Sequence, residues 1–481
     1  MRREEKIMKR GNLIITILAS AFLLLAGTAT MAAKGGIKGK PPPNDEPDPP
    51  EMDYPFYFWK LGHMDGPHDS SQALGISRDG KVAVGSTAVV DFTRAWRMDI
   101  DWALSTEDDG QPPLYNELQV QEGVGGEAAY AASDMTVDAC TYDKVAENLD
   151  WCGSLPVGTL TTGTVSYGAE WLWAYDAEVT DPNYLAIPDF GGGISDMVAN
   201  DVSFDGTIIV GTGNVKTGMV GWRADTMVVD EDLVPIPVQL TITDMFSTLQ
   251  TLQTSSAQAV SADGTIIAGY GGTKRGNKAF VTTVLDATTD PITLESYVLP
   301  AMDGGQWSEA YAMTETLDGR IFIAGRSDSP KGPQACIWFY DDTVAAWAVK
   351  GLGGLSKKKY DSKATGIVHR PGAADGELMV VGYSKSILYP SEAFVWSGNP
   401  TLEEEDIGYL YDLEYILIKT GAGEASLMGS SWILNQATGV ALNDDGTARI
   451  VGWGVNPEGG IEAWLADGFP YGELEPLLTH E

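Results

Sequence analysis

Two histidines and two aspartates fall within seven residues: His63, Asp65, His68 and Asp69. Imidazole nitrogens and carboxylate oxygens are donors that a transition metal accepts. The spacing matches no standard zinc pattern, and the alternative is a polar loop between strands. Of the other two histidines, His480 lies in the tail and His369 stands beside Arg370-Pro371. His369, Arg370 and Trp307 are the candidates for ligand contact, Trp307 as an exposed aromatic in the loop Asp303-Gly304-Gly305-Gln306-Trp307.

The three cysteines have different prospects. Cys140 and Cys152 bracket an eleven-residue insert, and a disulfide there would staple a lengthened hairpin. Two reduced thiols are the alternative. Cys336 stands where other parts of the chain carry Trp or Phe, so it is expected to be a buried, inert thiol that fills space. No adjacent histidine offers to activate it.

Acid–base pairs cannot be picked by sequence among 67 Asp and Glu residues, since some pair will stand at catalytic separation by chance. No Gly-x-Ser-x-Gly elbow, phosphate loop or HExxH stretch occurs. The recurring Asp-Gly pairs resemble fragments of calcium loops but supply too few oxygens at alternate positions. They read as turns, with calcium the minor alternative. Asp108-Asp109 and Asp444-Asp445 are richer in carboxylates but lack the pattern. No resident cofactor is expected.

Those turns belong to a repeat. Ser77-Arg78-Asp79-Gly80, Ser203-Phe204-Asp205-Gly206 and Ser261-Ala262-Asp263-Gly264 are each followed by β-formers. Gly accepts positive φ and Asp caps such a turn locally. Variants run from Thr314 to Gly319, Val368 to Gly376 and Ala441 to Gly446, and a seventh copy at Thr136 has lost the Asp-Gly pair. An alanine precedes each turn: Ala73, Ala132, Ala199, Ala257, Ala310, Ala364 and Ala437. A glycine is expected to end each second strand: Gly85, Gly153, Gly211, Gly269, Gly325, Gly382 and Gly452, at steps of 56 to 70 residues. A small residue plus an aromatic then marks the third strand, as in Ala95-Trp96, Gly221-Trp222 and Ala463-Trp464; Glu170-Trp171 and Ala335-Cys336 depart from it.

Copies of this length suit one four-stranded blade each, and seven such blades close well into a β-propeller. The expected fold is therefore all-β: a seven-bladed propeller over 55–470. Its last blade lacks an outer strand, and residues 55–61 are predicted to supply it. Closure of that kind removes exposed sheet edges.

Ser-x-Asp-Gly followed by β-formers and Gly, then Glu-Ala-Phe-x-Trp, resembles the HAF-type extracellular repeat of secreted bacterial proteins. Glu392-Ala393-Phe394-Val395-Trp396 and Ala257 to Gly269 carry the resemblance best, with Gly351-Leu352-Gly353-Gly354-Leu355 as the preceding element. The resemblance covers roughly residues 55–467. It implies a propeller outside the cytoplasm and no catalytic residues. The turn is also similar to the TolB-type repeat, which prefers Pro before Asp-Gly where this chain has Arg, Phe or Ala.

The ends of the sequence fit that setting. Residues 1–33 read as a signal peptide, with Lys6, Lys9 and Arg10 before the apolar run Leu13–Leu25 and small residues for cleavage at Ala32 or Ala33. An uncleaved anchor is the alternative. Residues 34–54 are a Pro-rich acidic linker and 471–481 a tail. The chain carries −36; its first 33 residues carry +3, so the remainder carries −39. Such a charge repels phosphate backbones and argues against nucleic acid as a partner. The expected function is a secreted or surface-held, monomeric, non-catalytic binding module for an extracellular protein or glycan. The alternative is a polysaccharide hydrolase or lyase working at the mouth of the central channel.

Overall fold

The computed structural model describes residues 57–62, 68–89, 92–100, 116–117, 126–132, 155–162, 165–172, 183–187, 195–216, 218–229, 235–239, 252–286, 293–356, 358–370, 377–402, 408–419 and 432–469. The predicted signal peptide, linker and tail, and the Cys140–Cys152 hairpin, lie outside them.

The described strands form antiparallel four-stranded units. The first is β2 (His68–Ile76), β3 (Val82–Val89), β4 (Phe92–Asp99) and β5 (Asn116–Glu117). The second is β6 (Gly126–Ala132), β7 (Pro156–Thr162), β8 (Val165–Leu172) and β9 (Asn183–Ile187). The third is β10 (Ser195–Val202), β11 (Ile208–Val215), β12 (Gly218–Val229) and β13 (Pro235–Gln239). The fourth is β14 (Ser256–Val260), β15 (Ile266–Thr273), β16 (Gly276–Asp286) and β17 (Thr293–Val298). The fifth is β18 (Ser308–Glu315), β19 (Ile321–Ser327), β20 (Gln334–Asp341) and β21 (Ala346–Gly353). The sixth is β22 (Ser362–His369), β23 (Leu378–Ser384), β24 (Glu392–Gly398) and β25 (Tyr409–Asp412), followed by the helix α1 (Leu413–Lys419).

The last unit takes one strand from the other end of the chain. Strands β26 (Ile433–Leu442), β27 (Ala448–Val455) and β28 (Ile461–Phe469) are completed by β1 (Tyr57–Gly62), which pairs antiparallel with β28. This is the predicted clasp. Phe58 seals it, with its ring 5.6 Å from Trp432 and 6.3 Å from Trp464 between centroids. A single parallel pair, Ser70 with Ile461, links this unit to the first as one eight-stranded sheet. The first strands touch one another in succession, β2 with β6, then β10, β14, β18, β22 and β26, and β26 again with β2.

One device recurs in all of these units. The alanine of each first strand pairs with a glycine of the second: Ala73 with Gly85, Ala199 with Gly211, Ala437 with Gly452, and likewise in the others. The register slips by one residue just after each alanine, so a bulge follows it every time. At three bulges the extra side chain reaches the repeat alanine of the next unit. Asn200 donates to the Ala257 carbonyl at 2.7 Å, Thr365 to Ala437 at 2.6 Å and Thr438 to Ala73 at 2.9 Å.

The glycines do not end their strands, as the sequence suggested. β3 continues past Gly85 to Val89, and β11 past Gly211 to Val215. The glycine is needed mid-strand because an aromatic ring from the third strand lies against it. A Cβ on Gly211 would sit 2.3 Å from Trp222 and 2.0 Å from the Val198 carbonyl oxygen. In the second unit the expected Gly153 and Ala132 are displaced. Gly158 pairs with Ala129, and a Cβ there would meet the Ala128 carbonyl oxygen at 1.9 Å. Its third-strand partner is Ala169, and Trp171 pairs with Tyr184 instead. In the fifth unit Cys336 pairs with Gly325, and Trp338 two residues on supplies the covering ring. Cys336 is buried and free, and burial pushes its thiol well above the ordinary range.

Serine hydroxyls join neighbouring units. Ser255 accepts the Gly221 N–H, Ser308 that of Ala279, Ser362 that of Ala335 and Ser71 that of Ala463, at 2.8–3.0 Å. The acceptor stands two residues before the repeat alanine, and the donor is the small residue of the preceding third strand.

Candidate functional site

The Asp-Gly turns form as expected, and their chemistry is internal. Asp205 Oδ1 accepts from the Ser203 hydroxyl at 2.7 Å, the Thr207 N–H at 3.0 Å and the Thr207 hydroxyl at 2.8 Å. Asp263 repeats the arrangement with Ser261 and Thr265. Gly206 and Gly264 take φ of 74° and 73°, the left-handed region that glycine tolerates. The turn donors hold both carboxyls below their ordinary range against the opposing effect of burial. These carboxylates serve the turn.

At the same end Arg78 reaches from the first unit to the third and fourth. Its guanidinium donates to the Val260 carbonyl and lies 3.9 Å from Asp201. Asp201 also accepts the Val260 N–H at 2.9 Å, and burial raises its carboxyl despite Arg78.

Among the described residues, a group of ionisable side chains gathers at the opposite end of the first strands. It draws on three successive units. Glu309 and Tyr311 come from β18, Arg326 from β19 directly opposite Glu309, Tyr270 and Asn277 from the fourth unit, and Lys363 from β22. The Glu309 carboxylate accepts from Asn277 at 2.6 Å, from Arg326 at 2.8 Å and from the Tyr311 hydroxyl. Burial acts against it, but the Tyr311, Arg326 and Asn277 donors hold it below the usual range. The Lys363 ammonium stands 3.4 Å from the Tyr311 ring centroid, and Tyr270 lies 5.7 Å from that ring. Burial, and then the Arg326 charge, lower Lys363 to about 8. Burial raises the Tyr311 hydroxyl strongly.

Perturbed groups in contact are a signature of functional sites and of structural ion-pair networks alike. Glu309 is satisfied on both oxygens, as a network tie is. Lys363 is the group with chemistry left to it, because a lysine near 8 is partly neutral at mild pH.

The sequence candidates fall as follows. Trp307 does lie in the loop before β18, but it is half-buried, with the Arg326 guanidinium 5.1 Å from its ring centroid. It therefore borders the Glu309 group. His369 is buried at the far end of β22, six residues beyond Lys363, or about 20 Å along a strand. Arg370 follows it there, so the structure does not bring these two to Trp307. His63 and Asp65 lie outside the described residues, and His68 and Asp69 are described only as backbone of β2. Among the described residues no three His, Cys, Asp or Glu side chains come together as metal ligands would. Cys140 and Cys152 are outside them.

Sequence reasoning missed the Glu309 group. Only the fifth copy carries Glu and Tyr around its repeat alanine, an irregularity that a search for shared residues passes over.

No protein-family model matches this sequence, and no curated protein matches it. Among solved structures, Chaetomium thermophilum Sqt1 bound to the N-terminus of ribosomal protein L10 is similar at 12% identity, covering 84% of this chain and 90% of that one, with a TM-score of 0.44. The phage phi92 endosialidase is similar at 9% identity over 86% of this chain and 69% of its own, with a TM-score of 0.39. The β-propeller domain of the Trilobed protease from Pyrococcus furiosus, described as having an open velcro topology, is similar at 13% identity over 69% and 82%, with a TM-score of 0.33.

Proposed function

We propose that this chain is a secreted or surface-held β-propeller of seven blades that binds a partner and performs no chemistry of its own. The eight-stranded sheet counts as two blades, since one residue pair joins its halves. The succession of first-strand contacts that returns from β26 to β2 supports closure. The HAF-like repeats, the charge of −36 and the apolar segment near the N-terminus support a life outside the cytoplasm. Among the described residues no helix is long and apolar enough to cross a membrane.

One observation carries the non-catalytic reading: the Glu309 carboxylate is taken by Asn277, Tyr311 and Arg326 from two adjoining units. The acid in this ionisable group thus ties units together. The lowered Lys363 beside Tyr311 favours a second reading, a polysaccharide lyase or hydrolase. Incubation with extracellular polysaccharides separates the two. Retention on a polymer without new chain ends supports binding, and release of reducing or unsaturated ends overturns it.

A further inference from the structure

A groove of about 250 Å³ opens where the fifth unit meets the sixth. Gly319 and Arg320 of the fifth Asp-Gly turn, Phe322, Phe339, Trp347 and Thr401 are among its lining. It wraps the strand ends, so residues from both alternating positions of β20, Phe339 and Tyr340, border it. Phe322 and Phe339 are buried and form the floor, with centroids 6.3 Å apart. Tyr340 and Trp347 meet edge to face at 5.9 Å.

Exposed apolar residues stand close in sequence to this lining. Leu317 is 85% exposed, two residues before Gly319. Val344 is 67% exposed, two residues after Asp342, and Leu402 is 46% exposed, next to Thr401. Tyr340 adds a ring that is 42% exposed. Clustered exposed apolar side chains around a groove mark interaction sites, whereas single ones need no explanation. The charges interleaved with them are Asp318, Asp341 and Asp342 against Arg320, whose Nε is held by Asp318 at 2.9 Å. The local balance is negative, as is the whole chain.

We infer that this groove docks a segment of another protein that carries an apolar anchor flanked by lysine or arginine. The inference rests on the binding-module reading and names the partner's chemistry. Aromatic floors take aliphatic or aromatic anchors, and such anchors concentrate binding energy. The aspartates select against acidic partners and speed the approach of basic ones.

The test uses the full chain and a random phage-displayed peptide library with inserts of about twelve residues. The counter-target is the double variant Leu317→Ser/Val344→Ser, which removes exposed apolar surface without adding charge and whose melting temperature should match the parent. Selected peptides should pair an apolar residue with Lys or Arg. A synthetic copy should bind the parent at least about tenfold more tightly than the variant, and added NaCl should weaken it. Selection of no peptide, or of peptides that bind both proteins alike, overturns the inference. Polysaccharide retention that the variant leaves unchanged would keep the binding-module reading and remove this groove from it. Retention lost in the variant would make the groove a glycan site and also overturn the inference.

Discussion

A Cβ placed on Gly452 would stand 2.4 Å from Cζ2 of Trp464, its cross-strand partner, and 2.1 Å from the Gln436 carbonyl oxygen. Both neighbours are fixed, the ring by burial and the carbonyl by the β26–β27 ladder. Gly452→Ala should therefore cost about 3 kcal/mol, the upper range for overpacking. Gly446→Ala is the control. Gly446 has φ of 81° but open space around it, so alanine there should cost only about 1 kcal/mol of left-handed strain. Equilibrium denaturation of the two variants checks the difference.

The serine joints predict a separate loss. In Ser308→Ala the Ala279 N–H, buried and bonded to the hydroxyl at 3.0 Å, would be left without its acceptor. The expected cost is about 2 kcal/mol, the range for an unsatisfied buried donor. Thr343→Ala, at an exposed turn whose hydroxyl bonds Asp341, should stay within about 0.5 kcal/mol. Denaturant midpoints measured side by side decide it.

The clasp between the chain's two ends makes Phe58 a core residue. Phe58→Ala would open a cavity against Trp432 and Trp464 and should cost about 3 kcal/mol. Hydrogen exchange should show the loss concentrated in β1 and β28. Equal exposure across all units would contradict the clasp.

Much of this plan was legible in the sequence, because it is written in shared residues. Ser203, Asp205 and Gly206 specify a turn by local chemistry, and the same letters recur at Ser261, Asp263 and Gly264. The clasp was legible by subtraction, since the last copy lacked an outer strand and residues 55–61 were spare. The role of the glycines was not. Gly85 and Gly211 look like punctuation in one dimension, and only the register shows Trp96 and Trp222 lying against them. The second copy was misaligned because its insert lies between Ala129 and Gly158. Gly158 to Ala169 keeps the eleven-residue step of Gly85 to Trp96, a regularity that Gly153 hid. The Glu309 group depends on Asn277, Arg326 and Lys363, which meet only across three units and have no counterpart in other copies.

Glu414 on α1 provides a pH test. Burial, and then Asp412 and Glu392 nearby, raise its carboxyl to about 7, while the Leu434 N–H donates to it at 3.3 Å. A carboxyl raised in the folded state favours folding while protonated. That contribution is whole below the ordinary value near 4.5 and is lost as pH rises through about 7. Glu414→Gln should leave the melting temperature unchanged near about pH 4 and raise it at about pH 8.5. A gain equal at both values would contradict the assignment.

The most direct test of the functional account compares the parent protein and Lys363→Met on a panel of neutral and anionic extracellular polysaccharides. Polymer retention and the appearance of new reducing or unsaturated ends are followed together. The account predicts no new ends from either protein and retention, where it occurs, that is the same for both. Ends released by the parent and absent with Lys363→Met would contradict it, and would make the Lys363–Tyr311 pair the centre of a catalytic site.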